Sequence, residues 1–295
     1  MPGRPSASRA LSWANQEAIV TAGPGVLRVV LLTLGWAEVP KSVSVHGASS
    51  AERLREPVPG VLVEVDSGWI LLDTGYNPAL IRDPLLRSRY HDRFSEVVPI
   101  LPPGTDDALL EALAVEGLDV DAVSSVGLSH LHYDHAGGLR HFTRGCPVHL
   151  QRDELSFGLS DDAADHGIFA IDFDDPAIAW ELADGDTDIA PGVTAVKTAG
   201  HTPGHQSFVV RYDPSLGGGG FVFAFDAADL TENIQGELPI GSTVDCAPEE
   251  TVEQIRRLKE IAAREHLRLV PGHDPNVWPR LTKDLHAVGG VPQTQ

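Results

Sequence analysis

The chain of 295 residues carries 22 Lys and Arg against 42 Asp and Glu, a formal net charge of −20 with its 13 His neutral. With 42% hydrophobic and 22% charged residues it has a globular composition and enough length for a sizeable core, which excludes wholesale disorder. The net charge repels phosphate backbones and anionic lipid, and no basic patch reverses it, so neither nucleic acid nor a membrane is an expected partner.

Two cysteines, Cys146 and Cys246, make neither a disulfide framework nor a Cys-x-x-Cys signature. They read as small buried hydrophobes in a reducing, cytoplasmic setting. No apolar run reaches the ~18 residues of a membrane span. Residues 1–25 and 287–295 are small, polar and rich in Gly or Pro, and read as tails around one domain spanning 26–286.

In chain order, the apolar runs Val61–Val65 and Trp69–Leu72 flank Ser67-Gly68 and predict a hairpin. Thr105 is the expected cap of a helix with Asp106 and Asp107 in its first turn, Leu109, Leu110 and Leu113 on its apolar face, and Gly117 as its stop. Val123–Leu128 and Val193–Lys197 read as strands. A second hairpin is expected from Phe208–Val210 and Phe221–Phe225 around the turn-rich stretch Asp213–Gly220. Val252, Ile255, Leu258 and Ile261 then recur on one helical side before a short strand, Leu267–Val270. Two hairpin-rich halves with helices between them predict an α/β sandwich.

The chemistry concentrates in Ser129-His130-Leu131-His132-Tyr133-Asp134-His135-Ala136-Gly137-Gly138, where three imidazoles and a carboxylate leave a strand on one loop. Imidazole nitrogen and carboxylate oxygen are the donors that Zn²⁺ and similar ions take in catalytic sites. The spacing lets His130 and His132 share one ion while Asp134 and His135 face another. By chance HxHxDH is expected about 0.002 times in such a chain, so coincidence is a poor account. Two ions need further ligands. His201 and His205 in Gly200–His205, Asp226 after the Phe221–Phe225 strand, and His273 after Leu267–Val270 all stand where a strand runs out.

The pieces Leu72-Asp73-Thr74-Gly75, Ser129–Gly138, Gly200–Ser207, Phe225-Asp226-Ala227 and Pro271-Gly272-His273-Asp274 run in one order across about two thirds of the chain. On them the chain resembles the metallo-β-lactamase-fold hydrolases, and most of all the N-acyl homoserine lactonases. The resemblance implies an αβ/βα four-layer sandwich, two central mixed β-sheets flanked by helices, around a two-metal site. One ion would take His130, His132 and His201, the other Asp134, His135 and His273, and Asp226 would bridge them. The ions are commonly zinc, with iron, manganese or cobalt as alternatives. The implied reaction is the opening of a lactone ring by a metal-bridging hydroxide, with Asp134 as proton shuttle. Asp73, just after the Ile70–Leu72 strand, is the candidate carboxylate to accept from a ligand histidine and orient it, with an ordinary turn aspartate as the alternative, while His205 is expected to buttress its loop.

One position departs from the family. Where the lactonases carry a tyrosine three residues after the bridging aspartate, this chain has Asp229, which when ionised can accept hydrogen bonds but not donate them. Tyr133 is the candidate to supply a phenol instead. Segments 78–104 and 155–180, with Tyr90, Phe94, Phe157, Phe169, Phe173 and Trp180, are the candidate lining of an acyl pocket, and Asp161–Asp175 a solvated lid or face.

Alternative readings are a glyoxalase II-like thioesterase, for which Arg256, Arg257, Lys259, Arg264 and Arg268 would meet an anionic substrate, and a non-catalytic metal-binding protein. The expected partner is a small lactone or ester, and a homodimer is left open.

Overall fold

The computed structural model describes residues 25–94 and 96–287; the two expected tails lie almost wholly outside them. Among the described residues, twelve strands form two mixed sheets. Arg28–Pro40 (β1) and Arg53–Val65 (β2) pair antiparallel, and β2 turns into Gly68–Leu72 (β3). Val98–Ile100 (β4) pairs with the outer side of β1. Beyond β3 follow Val123–Gly127 (β5), Pro147–Gln151 (β6) and Ala179–Ala183 (β7), all parallel, so this seven-stranded sheet runs β4-β1-β2-β3-β5-β6-β7.

The second sheet has Thr187–Ala190 (β8), Val193–Lys197 (β9), Gln206–Arg211 (β10), Gly220–Phe223 (β11) and Arg268–Val270 (β12), in the order β12-β11-β10-β9-β8. Only the β11–β12 pair is parallel.

Alternation along the strands explains the layers. Val29 and Leu31, Val61 and Val63, and Ile70 and Leu72 face one way and pack on Val193, Ala195, Phe208, Val210, Phe221 and Phe223 of the other sheet. The opposite faces bury Val30, Leu32, Leu62, Leu71 and Val126 under the helix Ala108–Val115 and the 131–178 segment, and Val196, Val209 and Val222 under the helix Pro248–Glu265. Both sheets are thus apolar on both faces, with helices outside and strands inside. This is the four-layer arrangement that the family resemblance implies.

Local details correct several expectations. The first hairpin turns on Asp66 and Ser67, and Gly68 already pairs with Val65. Asp107, not Thr105, caps its helix, accepting from the Leu109 and Leu110 amides at 3.1 and 3.2 Å. A carboxylate is the stronger acceptor for those free N–H groups, and Thr105 is buried two residues earlier. Leu109 and Leu113 are buried, but Leu110 is 39% exposed, because it falls on the solvent side of a two-turn helix. Neither cysteine is fully buried; both are half-buried free thiols. Phe225 is not the last residue of β11 but belongs to a short turn, Phe225–Ala227, that carries Asp226. No described helix is long and apolar enough to cross a membrane.

Candidate metal centre and its cavity

Each expected donor leaves the end of a strand, and both sheets contribute. β5 ends at Gly127, and the Ser129 amide is then caught by Asp73 Oδ1 at 2.6 Å. The chain closes one turn, with the His135 and Ala136 amides donating to the His132 carbonyl at 2.9 and 3.0 Å. That turn gathers His130, His132, Asp134 and His135. Gly137 and Gly138 follow where a side chain has no room: a Cβ at Gly137 would lie 2.1 Å from the Asn77 nitrogen. From the second sheet, His201 follows β9, Asp226 follows β11 and His273 follows β12.

The donors converge in two sets. Within the first, His132 Nδ1 lies 2.9 Å from His130 Nε2 and 2.8 Å from His201 Nε2, and Asp226 Oδ2 lies 3.7 and 3.3 Å from those two Nε2 atoms. Within the second, His135 Nε2 lies 3.6 Å from Asp134 Oδ2 and 3.3 Å from Asp226 Oδ1, which is 3.1 Å from His273 Nε2. The two oxygens of Asp226 therefore face different sets. Tetrahedral ligands at zinc-like bond lengths stand about 3.3 Å apart, the scale of these separations.

The remaining ring nitrogens decide the tautomers. His135 Nδ1 donates to Asp73 Oδ2 at 2.7 Å, His201 Nδ1 to the Ser242 carbonyl at 2.9 Å, and His273 Nδ1 to the Pro57 carbonyl at 2.9 Å. Ser129 Oγ donates to Asp73 Oδ2 and can accept from His130 Nδ1 at 2.9 Å. Each of these four imidazoles thus turns its Nε2 inward. Lone pairs aimed at lone pairs across such distances, with His135 Nε2 buried and lacking any hydrogen-bond partner, are the arrangement that cations resolve. The donor set fits two divalent ions.

The electrostatics separate the two sets, leaving the first neutral and drawing positive charge to His135 and His273 in the second. Burial pushes the His130, His132 and His201 imidazoles below their ordinary value, which keeps them neutral. Burial acts the same way on His135, but Asp226, Asp134 and Asp73 outweigh it and raise it to about 9. His273 is raised for the same reason, chiefly by Asp226. Asp226 is desolvated, yet the surrounding imidazoles hold it well below the carboxylate range.

Asp73 is fully buried and, like Phe225, sits in left-handed backbone at φ 58° and 48°, a strained conformation for residues with a Cβ. His205 holds Thr198 Oγ1 at 2.8 Å through Nδ1 and stays outside both donor sets, although its buried Nε2 has no hydrogen-bond partner. Tyr133 is clamped between Tyr76 and Phe169, ring centroids 5.9 and 5.4 Å away, with His91 edge-on at 4.7 Å. It lines the cavity over the donors.

That cavity has a volume of about 240 Å³ and combines the apolar side chains Val39, Val43, Phe94, Val97 and Val244 with the donor residues. Of the six aromatic residues expected to line it, only Phe94 does so. Phe169 and Phe173 are core, because the 155–180 segment packs its aromatics inward. The acidic run is only partly solvated: Asp172 is buried and accepts from Asn77 Nδ2 at 2.7 Å, while Asp165 reaches the cavity rim. A larger cleft of about 510 Å³, lined by 120–124 and 140–146, contains none of the donors.

Two buried carboxyl groups near the donors were not singled out from the sequence. Glu154 accepts from the Leu131 amide at 3.0 Å, the Gly204 amide at 2.9 Å and Thr202 Oγ1 at 2.7 Å, so it ties the two histidine loops together. Glu56 lines the cavity and accepts from Ser44 Oγ at 2.6 Å. Nothing local marks the first, a glutamate in the opening turn of a short helix. The second opens the buried run 56–63 of β2, in which every other residue is apolar, and that is a signal in itself.

Two sheets joined at their strand ends by a pair of donor sets define a dinuclear metallohydrolase scaffold, and the sequence matches the Metallo-beta-lactamase superfamily over residues 54–273. It is 31% identical to the N-acyl homoserine lactonase AttM of Azorhizobium caulinodans, covering 77% of this chain and 85% of that protein. It is 32% identical to the N-acyl homoserine lactonase AiiA of Bacillus thuringiensis subsp. kurstaki, covering 78% and 87%. A solved N-acyl homoserine lactone hydrolase, with N-hexanoyl-L-homoserine bound at its catalytic metal center, superposes with a TM-score of 0.74 at 28% identity, covering 85% of this chain and 95% of that one. The chain belongs to the N-acyl homoserine lactonase family of the metallo-beta-lactamase superfamily.

Proposed function

We propose that the protein is a metal-dependent hydrolase that opens the ring of a lactone, with N-acyl homoserine lactones as the first substrates to try. The observation that supports this reading most directly is the pair of donor sets joined through Asp226 beneath a partly apolar cavity. The likeness to lactonases over most of the chain narrows the bond to a cyclic ester.

In this proposal His130, His132 and His201 hold one ion, Asp134, His135 and His273 the other, and Asp226 both. Zinc is the favoured metal, because it accepts an all-imidazole and carboxylate set at low coordination number. Two such ions, when bound, supply a water-derived nucleophile at neutral pH and a Lewis acid for the ester carbonyl.

The chain's own groups do the rest. Asp73 fixes the ring of His135, and through Ser129 that of His130. His205 supports the Thr198 loop that carries His201. Asp134 takes the proton released as the acid forms and returns it to the alkoxide oxygen left by C–O cleavage. Tyr133 contributes a phenol at the cavity wall, which burial and the nearby Asp134 keep protonated. The product is a hydroxy acid, ionised at neutral pH, so each turnover releases one proton. A cytoplasmic location belongs to the same proposal, supported by two unpaired thiols.

The thioesterase alternative loses most of its cationic patch, since Arg256 and Lys259 both pair with Glu237 at 2.7 Å, Arg257 pairs with Asp186 and Arg264 with Glu265. The test is proton release by zinc-loaded protein on acyl-homoserine lactones, other γ- and δ-lactones and a glutathione thioester, with Asp226→Ala as control. Lactone turnover that the control loses is expected. Thioester cleavage with silence on every lactone would overturn the proposal.

A further inference from the structure

The lining of the cavity over the donors is one-sided in charge. Glu56, Asp134, Asp165, Asp226 and Asp229 all reach it, and no lysine or arginine does. Most of these acids are accounted for. Asp134 and Asp226 belong to the donor sets, Glu56 accepts from Ser44 Oγ at 2.6 Å, and Asp165 pairs with Arg93 at 2.7 Å. Asp229 is left over, at the position where the family resemblance leads to a tyrosine.

Asp229 is 5% exposed, and its Oδ1 is buried with no hydrogen-bond partner. Tyr133, His166 and Ser242 line the same space, yet none of them donates to that oxygen. A buried carboxylate without a donor is costly, and here it calls for a cation. The backbone shows where. The Asp229 carbonyl accepts from the His273 amide at 2.9 Å and the Ala228 carbonyl from the Gly272 amide at 3.0 Å, which lays Asp229 alongside His273. One donor atom each of Asp226, Asp229 and His273 lie within 4.8 Å of one another. Ligands on opposite sides of a six-coordinate ion stand about 4.2 Å apart and neighbouring ones about 3 Å, so the three are spaced for one cation.

We propose that Asp229 is a further ligand of the ion held by Asp134, His135 and His273, which makes the two metal positions chemically unequal. The inference rests on the two-ion reading of the site and deepens it. The first position offers three imidazoles and one Asp226 oxygen, a set that suits zinc at low coordination number. The second then offers two imidazoles and oxygens from three carboxylates. More ligands, and harder ones, favour ions that take higher coordination numbers, of which Mn²⁺ is the convenient probe. Zinc still binds there, but its lead over Mn²⁺ is smaller than at the first position.

The experiment loads metal-free protein with one equivalent of Zn²⁺ and titrates Mn²⁺ into it, following free Mn²⁺ by electron paramagnetic resonance. The native protein is expected to take up one Mn²⁺ beside the retained zinc. Asp229→Asn, which keeps the shape and loses the charge, should weaken Mn²⁺ by on the order of 10²-fold and leave the zinc equivalent in place. It should weaken a second Zn²⁺ less, so the preference for Mn²⁺ at that position falls. Asp229→Ala should behave alike. Because the substitution also removes an unpaired buried carboxylate, metal-free Asp229→Asn should melt no lower than the metal-free native protein.

Equal Mn²⁺ affinity in the native protein and both variants overturns the inference while the two-ion site still stands. So does a parallel loss of both metal equivalents with a lower-melting metal-free Asp229→Asn, which would make Asp229 a structural group. A native protein that holds fewer than two ions in every combination of Zn²⁺ and Mn²⁺ overturns the two-ion reading itself, and this inference with it.

Discussion

Asp73 shows how much a single buried carboxylate organises. It accepts from the Ser129 amide, from Ser129 Oγ and from His135 Nδ1, so three hydrogen bonds set the start of the histidine loop and the tautomer of one ring. Asp73→Asn keeps the shape but cannot accept from all three. It should weaken metal binding about 10- to 100-fold. Chelator competition on the purified variant measures this, and an unchanged affinity would remove Asp73 from the argument. Glu154 makes a second residue-scale prediction. Burial pushes its carboxyl from an ordinary 4.5 up to about 7, against the pull of three hydrogen bonds. Because the folded value is the higher one, the associated stability is whole below pH 4.5 and is lost as the pH rises to about 7. The stability difference between the native protein and Glu154→Gln should therefore change by on the order of 3 kcal/mol between pH 4.5 and 8, and stay flat above. Denaturant titrations of both proteins at matched metal concentration would show it, and parallel curves would refute it.

At the scale of elements, what was legible in the sequence was what repeats. Apolar runs on either side of turn residues marked both hairpins, a short strand-like run marked β5, and the 3.6-residue recurrence of Val252, Ile255, Leu258 and Ile261 marked the long helix whose buried face covers the second sheet. Ile255 is fully buried there, so Ile255→Ala should cost about 2–5 kcal/mol in chemical denaturation. The motif residues were legible because rare side chains fell at ligand spacing. Less legible was everything that depends on an element from elsewhere in the chain. Asp107 rather than Thr105 caps its helix because Arg140 and His141 also converge on that carboxylate. Glu154 matters only because two loops that are distant in sequence meet over it. Gly204 belongs to the same junction, since a Cβ there would lie 2.2 Å from the Glu154 nitrogen. Gly204→Ala should force the His201 loop away from the helix Arg152–Gly158 and cost about 1–3 kcal/mol, with loss of metal retention. Retained metal and an unchanged melting curve would show that the junction yields more easily than its packing implies.

On the scale of the molecule, the donors bridge the two halves. His130, His132, Asp134 and His135 hang from β5 of the first sheet, while His201, Asp226 and His273 come from β9, β11 and β12 of the second. Each proposed ion would thus take ligands from both sheets, and Asp226 would couple the two ions. Below them the sheets are held mainly by apolar packing, with Phe208, Phe221 and Phe223 set against Val61, Val63 and Ile70. At the donor end the intersheet surface is polar, and the carboxylates and imidazoles there need positive charge to lie so close. Metal therefore acts as a clasp as well as a reagent. An ion at a thousand times its dissociation constant adds about 4 kcal/mol to the folded state, so removing two should lower the melting temperature by on the order of 20 °C. Calorimetry of the loaded protein and of chelated protein tests this, with re-addition of zinc restoring the transition. A melting temperature indifferent to chelation, in protein shown to have lost both ions, would mean that the apolar core alone holds the sheets in register.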